Sequence, residues 1–224
     1  MGEFHALIVE GVAGTGKSTL VDALIRRHID SSEPRRIRSF LHLSQSHTYG
    51  PLAPFEDSGT LTVNANVALL ERICGTLEWM YADLQYCDKP AYVVIESLHL
   101  THCLRPGVLA WDNAAPIDVR LARIGCKLLL LTGTEQTIWR RSIAARAGSQ
   151  FLAEYARKFG RTDREIHAHF VEEQSRFAQM FACSALQKRK LENIGSLDTI
   201  VDEAYSFWVG NRDIARDRSK AEHA

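Results

Sequence analysis

Two hydrophobic patterns alternate along this chain: short runs of consecutive apolar residues, and longer stretches in which apolar residues return every three or four positions. The first reads as strands buried on both faces and the second as helices that bury one face. Strands are predicted at residues 4–9, 37–43, 91–95 and 126–131, with a weaker one at 191–194. A helix follows the glycine-rich turn at 11–16, with Leu20, Ala23 and Leu24 on its inner side and Arg27 near its end. Val67, Leu70, Cys74, Leu77, Met80 and Leu84 predict one long amphipathic helix over 64–86. Further helices are expected at 118–123, 136–147 and 150–158. The capping-box sequence Thr162-Asp163-Arg164-Glu165 starts another, running to about residue 187. Leu197, Ile200, Val201, Ala204 and Trp208 form the inner stripe of a last helix. Between 44 and 62 lies a stretch rich in Gly, Pro, Ser and Thr, too long for an ordinary connector and expected to be a binding loop.

Apolar strands alternating with helices describe an α/β fold with a five-stranded parallel sheet flanked by helices. In such sheets ligands sit beyond the carboxyl ends of the strands, which directs attention to the residues after Val9, Leu43, Ile95 and Leu131.

Composition narrows the class. With 224 residues, 46% hydrophobic and 24% charged, a single domain over 1–210 is expected, followed by a charged tail at 211–224 that frays. The longest apolar run, at 91–95, is far shorter than the roughly 20 residues of a membrane span or the 7–15 of a signal peptide. A cytoplasmic protein is therefore expected. Lys plus Arg and Asp plus Glu are 27 each, so no global charge points to nucleic acid or an anionic membrane as partner. The cysteines, at 74, 87, 103, 126 and 183, contain no C-x-x-C pair and read as core or half-buried thiols. His99, His102 and Cys103 have H-x-x-H spacing but no second pair to complete a closed zinc site.

Gly11-Val12-Ala13-Gly14-Thr15-Gly16-Lys17-Ser18 satisfies G-x-x-x-x-G-K-[ST] between a predicted strand and a predicted helix, the context a phosphate-binding loop requires. Gly11, Ala13, Gly14, Thr15, Gly16, Lys17, Ser18 and Thr19 are the expected nucleotide-binding residues. Backbone N–H groups and the helix start hold phosphates, Lys17 adds charge at the outer phosphates, and the Ser18 hydroxyl is the expected ligand of magnesium.

The longer run Val9-Glu10-Gly11-Val12-Ala13-Gly14-Thr15-Gly16-Lys17-Ser18-Thr19-Leu20 resembles the opening segment of thymidylate kinases and deoxynucleoside kinases, which carry a similar E-G-x-x-G-x-G-K-[ST]-T run. A looser likeness extends over most of the chain. The resemblance implies a P-loop NTPase fold with an arginine-rich helical lid, ATP and Mg2+ as cofactors, and γ-phosphate transfer to a small-molecule acceptor. It also implies a homodimer through the long helix. The chain departs from the pattern after the third strand. Glu96-Ser97-Leu98 stands where those families have D-R-[YH] or E-R-S, and Ser44-Gln45-Ser46-His47-Thr48-Tyr49-Gly50-Pro51 stands in place of an arginine-and-proline loop.

Glu96 ends the third predicted strand, so its carboxylate is expected at the phosphate edge, as a base for a hydroxyl acceptor or an acid on the magnesium side. Glu10 and Asp57 are weaker carboxylate candidates. Residues 140–164 hold Arg140, Arg141, Arg146, Arg157, Lys158, Arg161 and Arg164 against Glu154 and Asp163, a net +5 that reads as a mobile lid over the phosphates. Arg141 and Arg146 are the lid arginines that the resemblance implies act on the transferring group, with Arg140 as competitor. Gln45, His47 and Tyr49 are expected to hold the acceptor, together with Glu96. Trp79, Tyr81 and Tyr86 read first as core, and Trp111-Asp112-Asn113 as a loop anchor. The expected function is an ATP-dependent phosphotransferase acting on a nucleoside, nucleotide or nucleoside-like metabolite. The alternatives are a kinase of a sugar or antibiotic-like metabolite and a nucleotide-dependent switch or assembly ATPase.

Overall fold

A computed structural model describes residues 2–31, 40–86, 89–104, 109–160 and 162–210. Strands β1 (Phe4–Glu10), β2 (Phe40–Leu43), β3 (Ala91–Glu96), β4 (Lys127–Thr132) and β5 (Gln187–Glu192) form one sheet in the order β2-β3-β1-β4-β5. Every pairing is parallel. The helices are α1 (Lys17–Ser31), α2 (Gln45–Thr48), α3 (Ala53–Asp57), α4 (Val63–Asp83), α5 (His99–Leu104), α6 (Trp111–Arg123), α7 (Glu135–Ile138), α8 (Gln150–Phe159), α9 (Asp163–Cys183) and α10 (Leu197–Val209).

Side chains alternate across a strand, so the three central strands β3, β1 and β4 each feed two cores. Ala6, Ile8, Val93, Ile95, Leu128 and Leu130 pack against α4, α6 and α9 through Leu70, Leu77, Ile117, Leu121 and Phe170. Leu7, Val9, Val94, Leu129 and Leu131 pack on the other face against α1 and α10 through Leu20, Leu24, Ala204 and Trp208. In the β1–β3 register Val9 lies opposite Glu96, so the chain leaves both central strands at one edge.

Several elements differ from the sequence reading. The expected loop at 44–62 folds into α2, a 3-10 turn (Gly50–Leu52) and α3. Pro51 and Pro54 occupy first-turn positions of the last two, where a fixed φ and a missing N–H suit a helix start. Of the strand expected at 37–43, residues 40–43 are observed and the rest lie outside the described residues. The stretch after β3 contains α5, and α6 begins at Trp111 rather than at 118, with Pro116 inside it. The helix expected at 136–147 is α7 followed by a π turn (Trp139–Ile143) and a 3-10 turn (Ala144–Arg146). The predicted capping box is present at Thr162 and Glu165, but α9 stops at Cys183. β5 then starts four residues before the expected position, because Gln187 to Lys190 are exposed and Leu191 alone in the strand is buried. It is a charged edge strand, which carries no hydrophobic signal.

The tail at 211–224 and Cys87 lie outside the described residues. Cys74, Cys103 and Cys126 are buried free thiols and Cys183 is exposed. Burial pushes Cys74 up to about 11 and Cys103 up to about 12, which keeps both protonated and inert at neutral pH. No helix among the described residues is long and apolar enough to cross a membrane.

Candidate active site

The loop between β1 and α1 turns back on itself through glycines with positive φ, and two of them have no room for a side chain. A Cβ on Gly11 would lie 2.3 Å from the Leu131 carbonyl oxygen, and one on Gly14 would lie 1.9 Å from Ser142 Oγ. Lys17 Nζ donates to the carbonyls of Gly11 (2.5 Å) and Val12 (3.2 Å), which holds its charge against the loop. Thr15 Oγ1 donates to the Val12 carbonyl at 2.8 Å.

Two clamps from distant segments hold the loop. Ser142 Oγ donates to the Ala13 carbonyl at 2.8 Å, and Asn193 Nδ2 donates to the Thr15 carbonyl at 2.7 Å. Ser142 sits in the π turn, whose wider winding brings residues 139–143 onto the loop. Arg141 comes with them: its guanidinium lies 3.3 Å from where a Gly16 Cβ would stand. Neither Ser142 nor Asn193 was singled out in the sequence, where an isolated serine in a helix and an asparagine after a strand carry no pattern.

Glu96 is 8% exposed, and its Oε1 accepts a hydrogen bond from Ser18 Oγ at 2.6 Å. Thr48 Oγ1 donates to its backbone carbonyl at 3.3 Å. The next residue, Ser97, has φ 62°, and its N–H donates to the Val9 carbonyl at 2.9 Å. Its buried Oγ has no hydrogen-bond partner.

Glu10 faces away from this chemistry. It is fully buried, and its carboxylate accepts from the N–H groups of Leu98 (2.8 Å), Leu100 (3.1 Å) and Thr101 (3.4 Å) and from Thr101 Oγ1 (2.6 Å). Those donors open α5, so Glu10 compensates a helix start and ties β1 to the chain beyond β3. Asp57 is also engaged: it and Glu56 bind Lys158 Nζ at 3.0 and 3.3 Å, joining α3 to α8. Burial lowers the Lys158 ammonium, and the two carboxylates outweigh it and hold the group above its ordinary value.

A cavity of about 870 Å³ begins at the phosphate loop and passes Glu96. Its loop end is bounded by Lys17, Ser18 and Arg141 and by Asn193, Gly195 and Leu197 after β5. Its far end is bounded by Gln45, Thr101 and Leu104, and by Phe151, Tyr155, Phe159 and Phe177 from α8 and α9. This aromatic wall was missed in the sequence, where residues 150–158 were expected only as a helix.

Of the four residues expected to hold the acceptor, Gln45 and Glu96 line the cavity and His47 and Tyr49 do not. His47 is exposed, with Nδ1 2.9 Å from Ser44 Oγ. Tyr49 is buried, and its hydroxyl donates to Glu56 at 2.6 Å. Both were read as loop residues, whereas α2 turns one outward and the other inward. Among the expected lid cations, Arg141, Arg146 and Lys158 line the cavity, and Arg146 lies 4.1 Å above the Phe151 ring. Arg140, Arg157 and Arg164 are exposed and do not, and Arg161 lies outside the described residues. Trp79, Tyr81 and Tyr86 are exposed rather than core. Trp111, Asp112 and Asn113 open α6 away from the cavity.

The histidines after Ser97 have hydrogen-bonding partners. His99 Nε2 lies 2.9 Å from Asp118 Oδ1, which also accepts from Ser184 Oγ at 2.6 Å. His102 Nε2 lies 2.9 Å from the Thr48 carbonyl, so that nitrogen donates, and Nδ1 faces the Asn66 side-chain amide. No group of three or more His, Cys, Asp or Glu side chains among the described residues is arranged to hold a metal ion.

No family model and no curated protein matches the chain. Solved structures do. The YorR protein of Bacillus subtilis, in complex with phosphorylated GDP, superposes with a TM-score of 0.54 at 13% identity over 88% of this chain and 92% of its own. A sugar kinase from a Janibacter species gives 0.52 at 15% identity, covering 93% and 95%. A gluconokinase from Sinorhizobium meliloti gives 0.51 at 15% identity, covering 91% of each chain. The chain therefore shares the parallel α/β fold of these proteins along almost its whole length.

Proposed function

We propose that the protein is an ATP-dependent kinase of a small molecule, built as one domain through residue 210. The observation that carries this reading is one continuous cavity of about 870 Å³, lined by the phosphate loop, Glu96 and an aromatic wall. It has room for a nucleotide at one end and an acceptor at the other. A switch ATPase needs only the first half. The two solved kinases among the fold relatives agree with the reading.

In this reading the loop amides of Gly14 to Thr19 and the start of α1 hold the phosphates, and Lys17 turns from the loop carbonyls to the outer phosphates. Arg141 flanks them from the lid at 140–164, and Arg146 closes over the transferring group as α8 settles. Ser18 and Glu96 supply two adjacent oxygens at the place where the phosphates end, a donor set that suits a hard cation. Magnesium held there neutralises charge on the phosphates. Glu96 then serves through its carboxylate oxygens, one beside Ser18 and the other toward the acceptor.

The resemblance of residues 9–20 to thymidylate and deoxynucleoside kinases supports a ring-bearing acceptor in the nucleoside class. A sugar-like acceptor is favoured by one observation: Ser97, with a free hydroxyl, stands where those families carry arginine. An ATP-utilising enzyme with buried free thiols belongs in the cytoplasm. Pairing of two copies through α4, on which Trp79 is 67% exposed, is the expected assembly.

The test is ADP release by the purified protein with MgATP against nucleosides, nucleoside monophosphates and sugars. Low basal turnover that rises strongly with one compound is expected. High turnover insensitive to every compound overturns the reading.

A further inference from the structure

The cavity carries acids as well as cations. Among the described residues, its cations are engaged: Lys17 with the loop carbonyls, Arg141 beside Gly16, Arg146 over Phe151, and Lys158 with Glu56 and Asp57. Glu154 on α8 and Glu173 on α9 line it with the opposite charge. Glu173 lines the cavity with its side chain 15% exposed, and His169 approaches it at 3.4 Å. Phe177, one turn further along α9, lines the same cavity, as does Tyr155 from α8.

A second, independent feature lies in the residue after Glu96. Ser97 lines the cavity, is 1% exposed, and its hydroxyl has no partner in the protein. Its φ of 62° places a non-glycine residue in the left-handed region. A strained residue at the cavity wall whose buried hydroxyl is unsatisfied supplies a hydrogen bond to a ligand once that hydroxyl turns to the cavity.

We infer that the acceptor is a hydroxyl compound that also carries a protonated amine, of the amino-sugar or aminocyclitol class. The inference rests on the kinase reading and specifies its acceptor. The ammonium lies at Glu173 against the rings of Tyr155 and Phe177, where a partly desolvated carboxylate and aromatic faces both attract a cation. A phosphate-bearing acceptor meets Glu96 and Glu173 instead, and like charge disfavours it. The acceptor hydroxyl lies beside Glu96 and Ser97. Its oxygen forms a bond to the γ-phosphorus, and the bond from that phosphorus to the β,γ-bridging oxygen breaks. ADP leaves with that electron pair, and the hydroxyl proton passes to the Glu96 carboxylate.

The experiment measures ADP release by the full chain with MgATP and matched probes: glucosamine and 2-deoxystreptamine, their N-acetyl derivatives, thymidine and thymidine monophosphate. Turnover with at least one free amine is expected, with kcat/KM at least about tenfold lower for its N-acetyl form. Glu173→Gln raises KM for the amine by roughly 30-fold or more, with KM for ATP unchanged. Ser97→Gly, which relieves the backbone, raises the thermal midpoint while lowering kcat/KM for the amine. Thymidine, thymidine monophosphate or the N-acetyl forms turned over as well as the amines overturns the inference and leaves the kinase reading intact. ADP release that none of the probes raises overturns the inference, and the kinase reading falls with it only if the wider set of nucleosides, nucleoside monophosphates and sugars also leaves it unchanged.

Discussion

Ser18 Oγ, on the first turn of α1, donates to Glu96 Oε1, at the end of β3, across 2.6 Å. The contact follows from the β1–β3 register, which sets Val9 opposite Glu96 and so delivers the phosphate loop and the carboxylate to one edge of the sheet. It makes the hydroxyl and the carboxylate a unit, with consequences for both.

Glu96→Gln separates two roles. If the carboxylate takes the acceptor's proton, turnover falls by about 10²–10⁴ and excess magnesium does not restore it. Ser18→Ala weakens turnover in a way that rising magnesium partly repairs. Steady-state kinetics over a magnesium series distinguishes the two variants, and rescue of Glu96→Gln by magnesium removes the base role.

Lys17→Ala lowers turnover by at least about a hundredfold, because the loss of a full charge at the developing phosphoryl group is felt in the transition state. Folding is little changed, since the ammonium contacts loop carbonyls and not the core. ADP release and the thermal midpoint, measured together, check both halves of the expectation.

Arg141 and Arg140 are adjacent in sequence but differ in place, one lining the cavity beside Gly16 and the other exposed. Arg141→Ala is expected to lower kcat by roughly 10²–10³, the scale of removing one donor aimed at a developing negative charge. Arg140→Ala stays within about twofold, as expected of a solvated side chain. Equal effects from the two variants contradict the assignment.

Gly14→Ala abolishes nucleotide binding. Its Cβ would fall 1.9 Å from Ser142 Oγ at a backbone φ of +83°, so the loop and the lid's first turn must separate. Titration with a fluorescent ATP analogue reads the loss. Ser142→Gly, added to it, partly restores binding by making room.

Asp118 sets an acid limit on stability. Burial raises its pKa, but hydrogen bonds from His99, Ser184 and the Ala185 N–H outweigh this and hold the carboxyl below its usual 3.8. A depressed carboxyl stabilises the fold above its unfolded value, and the contribution is lost as the pH falls through the lower folded value. Asp118→Asn costs on the order of 2 kcal/mol at neutral pH and flattens the fall in stability below about pH 4. Urea unfolding of both proteins from pH 3 to 7 measures it.

The central sheet and the phosphate loop were legible because both rest on local signals. Apolar runs such as 91–95 declare a buried strand, and Gly11 to Ser18 combine a turn chemistry with a helix start. Elements with mixed signals were misread. β5 hides its strand under Lys188, Arg189 and Lys190, while α2 and α3 hide helices under prolines and serines. Glu10 and Tyr49 illustrate the remaining difficulty. A carboxylate beside a phosphate loop and a tyrosine after a strand suit chemistry equally well, and only their partners at Leu98, Thr101 and Glu56 assign them to structure.

By itself the sequence determined the parallel α/β architecture, the glycine-rich turn between β1 and α1, and the edge of the sheet where Glu96 emerges. Periodicity and turn chemistry act over a few residues, and the order of strand and helix restricts what can pack. The tertiary structure alone decided which basic residues of 140–164 reach the cavity, that Ser142 and Asn193 clamp the loop, and that Phe151, Tyr155, Phe159 and Phe177 line the cavity together. These are relations between segments far apart in the chain, and a side chain's direction depends on the packing and local winding of its helix, which no short window of sequence contains.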